Sequence, residues 1–401
     1  MKTRIMTAVI AASTMACQTD ADTRGQPGVQ QRDSAGIRIV ENPRPPDGSR
    51  LGWRTGSEPA VSIGVLEGED PYMLFAVRDA TILSDGRIVV VGGNELRVFD
   101  PLGNYLETWG GEGEGPGEFT DLHQADPWLG DSLVAGDLRH ETMTVFDSGG
   151  NFGRIVRLED SPIVSLRAVF ELGLYRVMRD GSILLAREPS HPDTVDVTIF
   201  DAEGGSRRSL GSHPGWETYF LERANTLYTV IFTRTLAMAP WGDLVVITPT
   251  NRSEMTAYTK EGTVARIVRL GHEPHEPEQA HVDAHIEAQV ARVPREMVER
   301  RAAYRGELQD LPVAEHLPAF TSVMADALDH LWVEEFAAPG EERPGVLWTV
   351  LDPEGRVLGF VETPSELEIY EIGADYIVGK TEDEEFGVES VQVWRLDRSG
   401  R

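Results

Sequence analysis

The densest group of residues able to do chemistry is a run of histidines, His272, His275, His281 and His285. His281 and His285 stand four apart, which on a helix puts both imidazoles on one face, the spacing of a two-histidine zinc clamp. Glu278, three residues before His281, is of the right type for a third ligand. A metal centre needs three ligands and an outer shell that orients them. The surrounding HEPHEPEQ is polar, so an exposed helix is the competing reading. The glycine run Gly111-Glu112-Gly113-Glu114-Gly115-Pro116-Gly117 suggests a phosphate loop, but such loops lead into a helix N-terminus. Here Glu112, Glu114 and Glu118 would repel phosphate, and a loop crossing between sheets accounts for the glycines.

Gly130-Asp131-Ser132-Leu133 spells the signature of the GDSL hydrolases, followed by Asp137 and His140. In that family the Asp/His pair lies far downstream of the serine. Here all three sit in one turn-and-strand unit that matches its sisters along the chain, so the match reads as coincidence.

That unit is the element that organises the sequence. Residues 82–110, ILSDGRIVVVGGNELRVFDPLGNYLETWG, alternate tight turns with apolar strands and describe an antiparallel meander. The closing phrase VFDPLGNYLETWG returns in weakened form five times, and its hydrophobic anchor falls at Phe99, Phe146, Phe200, Tyr258, Leu351 and Leu396. Successive spacings are 47, 54, 58, 93 and 45 residues. An opening phrase, a turn before a buried strand, recurs in step with it. Six units with a period of about 45 residues predict an all-β, six-bladed β-propeller. The last unit lacks a strand, and Pro59–Gly64 (PAVSIG) has none of its own. Pairing the two predicts a ring closed by an N-terminal strand, which also protects both edges. The long spacing marks an insertion at residues 272–312, between blades four and five, where Pro294 divides two short helices. A second insertion carries Trp216, Tyr219 and Phe220 between blades three and four.

The N-terminus supplies an address. Lys2 and Arg4, a short apolar run and small residues before Cys17 describe a secretory signal, too short to span a membrane. Cys17 is the single cysteine and the expected lipidation site, with Thr14-Met15-Ala16-Cys17 resembling a bacterial lipobox. Residues 1–17 are therefore read as signal, 18–33 as a flexible tether, and 34–401 as the propeller. By resemblance to sorting rules in diderm bacteria, Gln18 points to the outer membrane, with the domain on the periplasmic side.

Together the blades resemble NHL-type six-bladed propellers. The phrases GGEGEGPGEF (110–119), LPAFTSVMADALDHLWVEEF (317–336) and IGADYIVG (372–379) are similar to those of a group of bacterial propeller lipoproteins with no established activity. The resemblance covers residues 36–401. It implies fold and address and leaves function open.

Charge narrows the partners. The chain carries 37 Lys+Arg against 66 Asp+Glu, a net −29. Such a surface repels nucleic acid and anionic headgroups, so membrane contact is expected through the lipid anchor only. The default ligand site of a propeller is its central channel, and polar residues near the starts of the innermost strands are Arg78, Asp79, His123, Arg234 and Ser322. Arg78 and Arg234 suit a carboxylate, and His123 suits a general base. The expected function is a lipid-anchored binding module for a protein or small ligand, more a binder than an enzyme. The alternative is a metal-dependent hydrolase of lactonase or esterase type, or a lyase, in the channel. No cofactor is called for by the first reading; calcium or zinc would accompany the second.

Overall fold

The computed structural model describes residues 28–400 apart from 138, 141, 159–174, 188–192, 206–207 and 384. The expected signal segment, Cys17 and most of the expected tether lie outside the described residues.

The local rule behind the repeat is an aspartate after the third strand of a blade. The carboxylate of Asp100 accepts the backbone N–H groups of Leu102 and Asn104, each at 2.8 Å. Asp147, Asp201 and Asp352 do the same to the residues two and four ahead. The residue three ahead is in each case a glycine with positive φ, at Gly103, Gly150, Gly204 and Gly355. An Asx turn with a left-handed glycine reverses the chain tightly enough to pair strands three and four.

An N-terminal hairpin, β1 (Gln30–Ser34) and β2 (Ile37–Asn42), and two short strands, β3 (Arg54–Thr55) and β4 (Val61–Ile63), precede the blades. Blade one is β5 (Val77–Ile82), β6 (Ile88–Gly92), β7 (Glu95–Phe99) and β8 (Tyr105–Gly110). Blade two is β9 (Leu122–Trp128), β10 (Ser132–Asp137), β11 (Thr142–Phe146) and β12 (Phe152–Arg157). Blade three is β13 (Tyr175–Val177), β14 (Ile183–Arg187), β15 (Thr194–Phe200) and β16 (Arg208–Pro214). A hairpin, β17 (Thr218–Leu221) and β18 (Thr226–Thr229), leads to blade four: β19 (Leu236–Trp241), β20 (Leu244–Pro249), β21 (Glu254–Thr259) and β22 (Val264–Leu270). The helices α1 (Gln279–Ala291) and α2 (Val298–Gln309) follow, separated at Pro294 as expected. Blade five is β23 (Phe320–Ala325), β24 (Leu331–Glu335), β25 (Val346–Leu351) and β26 (Val357–Thr363). Blade six is β27 (Glu368–Ile372), β28 (Tyr376–Glu382) and β29 (Glu389–Asp397), completed by β4.

Six apolar cores fill the six gaps between neighbouring blades. Trp109 of blade one packs with Phe119 and Phe146 in the first gap. The second to fifth gaps have their own buried sets. In the last, Val378 and Val391 of blade six meet Val77 and Phe99 of blade one, with Ile63 among them. Strands buried on both sides read as unbroken apolar runs, which is why Ile88-Val89-Val90-Val91 shows no alternation. The ring is a closed six-bladed propeller.

Closure uses the expected strand. Val61 and Ile63 of β4 register with Val393 and Val391 of β29, antiparallel. A side-chain latch reinforces it: Arg398 donates to Asp326 at 2.6 Å and to the Gly373 carbonyl at 2.7 Å. Its guanidinium lies 4.5 Å from the centroid of Trp53 and 5.9 Å from that of Trp332. Asp326 also accepts from the N–H groups of Leu328 and His330 and from Trp332 Nε1, each at 2.9 Å. Burial alone would raise the Asp326 carboxyl, but the bonds from His330, Trp332 and Arg398 outweigh it and bring it down to about 2.

The N-terminal hairpin departs from expectation. β2 lies parallel to β22, Arg38 opposite Arg266 and Asn42 opposite Leu270, as a fifth strand of blade four. β1 pairs outside it and takes in residues 30–33, which the sequence reading placed in the tether. All five side chains of β1 are exposed, and beyond its backbone ladder it is held only by surface ion pairs, Arg38 to Asp33 at 3.0 Å and Arg32 to Glu41 at 3.4 Å, which leave no apolar pattern to read.

Candidate functional site

Innermost strands of neighbouring blades run side by side, β5 by β9, β9 by β13, β13 by β19, β19 by β23 and β27 by β5, and these strands frame the channel. Four of them are bulged near their start. Arg78 is the extra residue of β5, between Val77 opposite Gly92 and Asp79 opposite Val91. His123 is the extra residue of β9, and Tyr370 that of β27. In β23 the shift spans Phe320 to Val323 and takes in Ser322. A bulge re-aims the side chains that follow it. Downstream of the bulges, Asp79 and Thr81, Gln124 and Asp126, and Glu371 occupy the positions that meet.

Asp79 accepts the N–H of Ala80 at 2.9 Å and, across the blade gap, that of Ala125 at 3.0 Å. Burial, and then the charge of Asp126, push its carboxyl well above the usual carboxylate range. Burial pushes Asp126 up to about 6, opposed by the cation of Arg176 and a 2.7 Å bond from Gln124, with Glu371 adding repulsion. Glu371 accepts from Thr81 Oγ1 at 2.5 Å and from the hydroxyl of Tyr376. Four blades thus bring Asp79, Asp126, Arg176 and Glu371 within electrostatic reach of one another. On β23, Ser322 donates to Glu334 at 2.7 Å, and burial raises that carboxyl too.

Of the five residues expected in the channel, only Asp79 belongs to this group. Arg78 pairs with Asp121 at 2.7 Å and donates to the Leu122 carbonyl at 2.9 Å. His123 lies 3.6 Å from the same Asp121, and burial, then the charge of Arg78, lower its pKa. These form a separate group at the strand starts. Arg234 precedes β19 and is ion-paired with Glu217 at the root of the β17–β18 hairpin. Asp126, Gln124, Arg176 and Glu371 were missed.

The histidine cluster lies just before α1 and along it. Glu278 caps α1: its side chain accepts the backbone N–H of His281, and His281 Nδ1 accepts that of Glu278 at 3.2 Å, a capping box. His285 turns edge-on to Phe232, ring centroids 5.3 Å apart, and burial, then Arg292, lowers its pKa. Among the described residues no group of three or more His, Cys, Asp or Glu is placed to hold a metal ion. Ser132 opens β10 and Asp137 ends it, so the hydrolase-like letters are held apart by the length of a strand. Asp137 instead accepts the N–H groups of Thr120 and His140. The glycine-rich run closes on itself, Phe119 N–H donating to the Gly111 carbonyl and Gly113 N–H to that of Phe119. Trp216 is buried, while Tyr219 and Phe220 remain exposed. Among the described residues no helix is long and apolar enough to cross a membrane.

No family model matches the chain, and no curated protein matches it. Solved structures similar in shape include a protein from Bacteroides fragilis thought to be exported, at 11% identity and a TM-score of 0.48, covering 90% of this chain and 99% of that one. A member of the DUF4221 family from Bacteroides vulgatus has 9% identity and a TM-score of 0.48, covering 87% and 99%. A gluconolactonase from Xanthomonas campestris has 10% identity and a TM-score of 0.39, covering 84% and 99%. The assignment of fold rests on the chain's own ladders and its six inter-blade cores: it is a six-bladed β-propeller.

Proposed function

We propose that the protein is a lipid-anchored, extracytoplasmic binding module that takes a small cationic ligand, an ammonium or guanidinium, in the channel. The observation that carries this is the electrostatic proximity of Asp79, Asp126 and Glu371 from blades one, two and six, with Arg176 the cation that acts on both aspartates. Three carboxyl groups facing one guanidinium leave an excess of acceptors. Burial and the charge of Asp126 favour the protonated form of Asp79, a tendency that an incoming cation would oppose. Binding by a charged amine should therefore release a proton and strengthen as pH rises through the range in which Asp126 ionises. The extracytoplasmic address comes from the signal-like N-terminus and Cys17.

Isothermal titration with a panel of small amines, guanidines and matched carboxylates, from pH 5 to pH 8 in buffers of differing ionisation heat, tests it. Cations should bind and carboxylates should not, with affinity rising with pH and falling at least tenfold in Asp126→Asn. Cation binding that is indifferent to both pH and Asp126→Asn, or a preference for carboxylates, would refute the channel reading.

A further inference from the structure

The molecule is acidic overall, and its positive charge is densest at one place. Residues 291–305 hold five arginines against two glutamates, net +3, the most basic stretch of that length in a chain of net −29. They form the end of α1, the turn, and the start of α2. Val298 is 69% exposed and Met297 52%, beside exposed Arg292, Arg295 and Arg300. Neither Arg292 nor Arg295 has an ion-pair partner among the described residues, and Arg300 reaches Glu307 only at 4.0 Å. The N-terminus of α2 has no side-chain cap, so its first-turn N–H groups also face outward with partial positive charge.

Strand directions fix where this tip stands. In each blade the first strand begins, and the fourth ends, on the same face of the disc, here the entry face. The insertion joins the end of β22 to the start of β23, so it rises from the entry face. β2 runs parallel to β22 and β1 antiparallel to β2, Gln30 opposite Glu41, which brings the first described residues to that same face. Ten residues separate Gly28 from Cys17, at most about 35 Å of extended chain.

We infer that the tip of the helical insertion, Arg292, Arg295, Met297, Val298 and Arg300, docks on an anionic lipid surface and turns the entry face of the propeller toward the bilayer. Two exposed apolar side chains beside an excess of guanidinium groups at an uncapped helix start, with Glu296 and Glu299 the acidic exceptions, match acyl chains below phosphate headgroups. Negative charge over the rest of the molecule opposes any other orientation. Docking adds a second, reversible contact to the lipid at Cys17. It also places the channel mouth, where Arg78 and His123 lie, within a short distance of the membrane.

Flotation of the full chain carrying Cys17→Ser, which removes the acylation point, tests the tip without the anchor. At about 50 mM salt, where screening is weak, the chain should float with phosphatidylglycerol/phosphatidylcholine vesicles and not with phosphatidylcholine alone. Arg295→Glu/Arg300→Glu should lower partitioning at least 25-fold, about fivefold for each arginine lost. Val298→Asp should lower it as well. Arg154→Glu/Arg208→Glu changes net charge equally on the outer strands of blades two and three, and should bind almost as wild type does. Equal binding to both vesicles, no binding to either, or equal loss in both charge-reversal pairs would overturn the inference. Unchanged circular dichroism of the tip variants keeps misfolding apart from lost docking.

Discussion

Replacing Asp326 by asparagine should loosen the ring at its closure. The carboxylate is fully buried and takes bonds from two backbone N–H groups, Trp332 and Arg398, while Arg398 keeps only 12% of its side chain exposed. Breaking a buried ion pair from one side costs about 3–5 kcal/mol, because the remaining charge loses its partner. Asparagine can still accept one bond, so a loss of about 2–4 kcal/mol is expected. Trp53 and Trp332 flank Arg398 and report the latch through their fluorescence, so urea titrations followed at tryptophan and by circular dichroism give both local and global midpoints. Arg398→Gln should cost a similar amount, and the double variant much less than the sum, with a coupling of about 1–3 kcal/mol. Additivity within about 0.5 kcal/mol, or a loss below about 1 kcal/mol for Asp326→Asn, would refute the latch as an energetic unit.

Acid should act on the latch in a defined window. The folded pKa of Asp326, about 2, lies below its unfolded value of 3.8, so its stabilisation of about 2 kcal/mol is complete above the unfolded value and lost as pH falls through the folded one. Unfolding midpoints of wild type and Asp326→Asn should converge below pH 2; a constant gap would contradict the assignment. Asp126 has the opposite sign. Its folded pKa of about 6 exceeds 3.8, so the fold favours the protonated acid and loses stability as pH rises between the two values. Asp126→Asn should therefore be more stable than wild type by about 1–3 kcal/mol at pH 8 and equal to it near pH 4, and thermal melts at the two pH values decide the point. Ile63→Ala, at a side chain 1% exposed in the gap between blades six and one, should cost about 2–5 kcal/mol and speed hydrogen exchange in β29 before the other blades. Uniform exchange across all blades would argue against local opening.

The architecture was legible because each blade carries a local signal. The aspartate turns, the glycines three residues on and the apolar runs repeat in sequence, and Pro294 divides the insertion where the two helices part. The closing strand was legible by subtraction, as a strand without a blade beside a blade short of a strand. The channel was not. Its facing residues follow from counting alternate positions along each inner strand, and bulges at Arg78, His123 and Tyr370 reset that count. Of the residues chosen near the strand starts, Arg78, His123 and Ser322 fell on the bulges and only Asp79 lay just beyond one, while Gln124, Asp126 and Glu371 further along were passed over. Register shifts arise from pairing between strands, which one strand's residues do not encode. The ion pair of Arg234 was illegible for another reason: its partner, Glu217, sits on a hairpin that the sequence showed only as an aromatic loop. β1 lacked any apolar pattern, and the parallel pairing of β2 joins segments more than two hundred residues apart.

That N-terminal segment crosses three blades in turn. β2 lines blade four, the Leu51 N–H donates to the Phe360 carbonyl at the edge of blade five, and β3 and β4 complete blade six. Asn42 ties two of these together, bonding to Gly355 and Val357 of blade five from the edge of blade four. The first part of the domain to be synthesised is thus the last able to find its place, since its partners are the last to emerge. Blades one to three can assemble while the chain is still growing, whereas residues 30–63 must wait with their strand edges unsatisfied until blades four to six exist. A polypeptide that crosses a membrane unfolded and folds afterwards faces no such delay. The order of assembly written into this topology suits post-translocational folding better than folding on the ribosome.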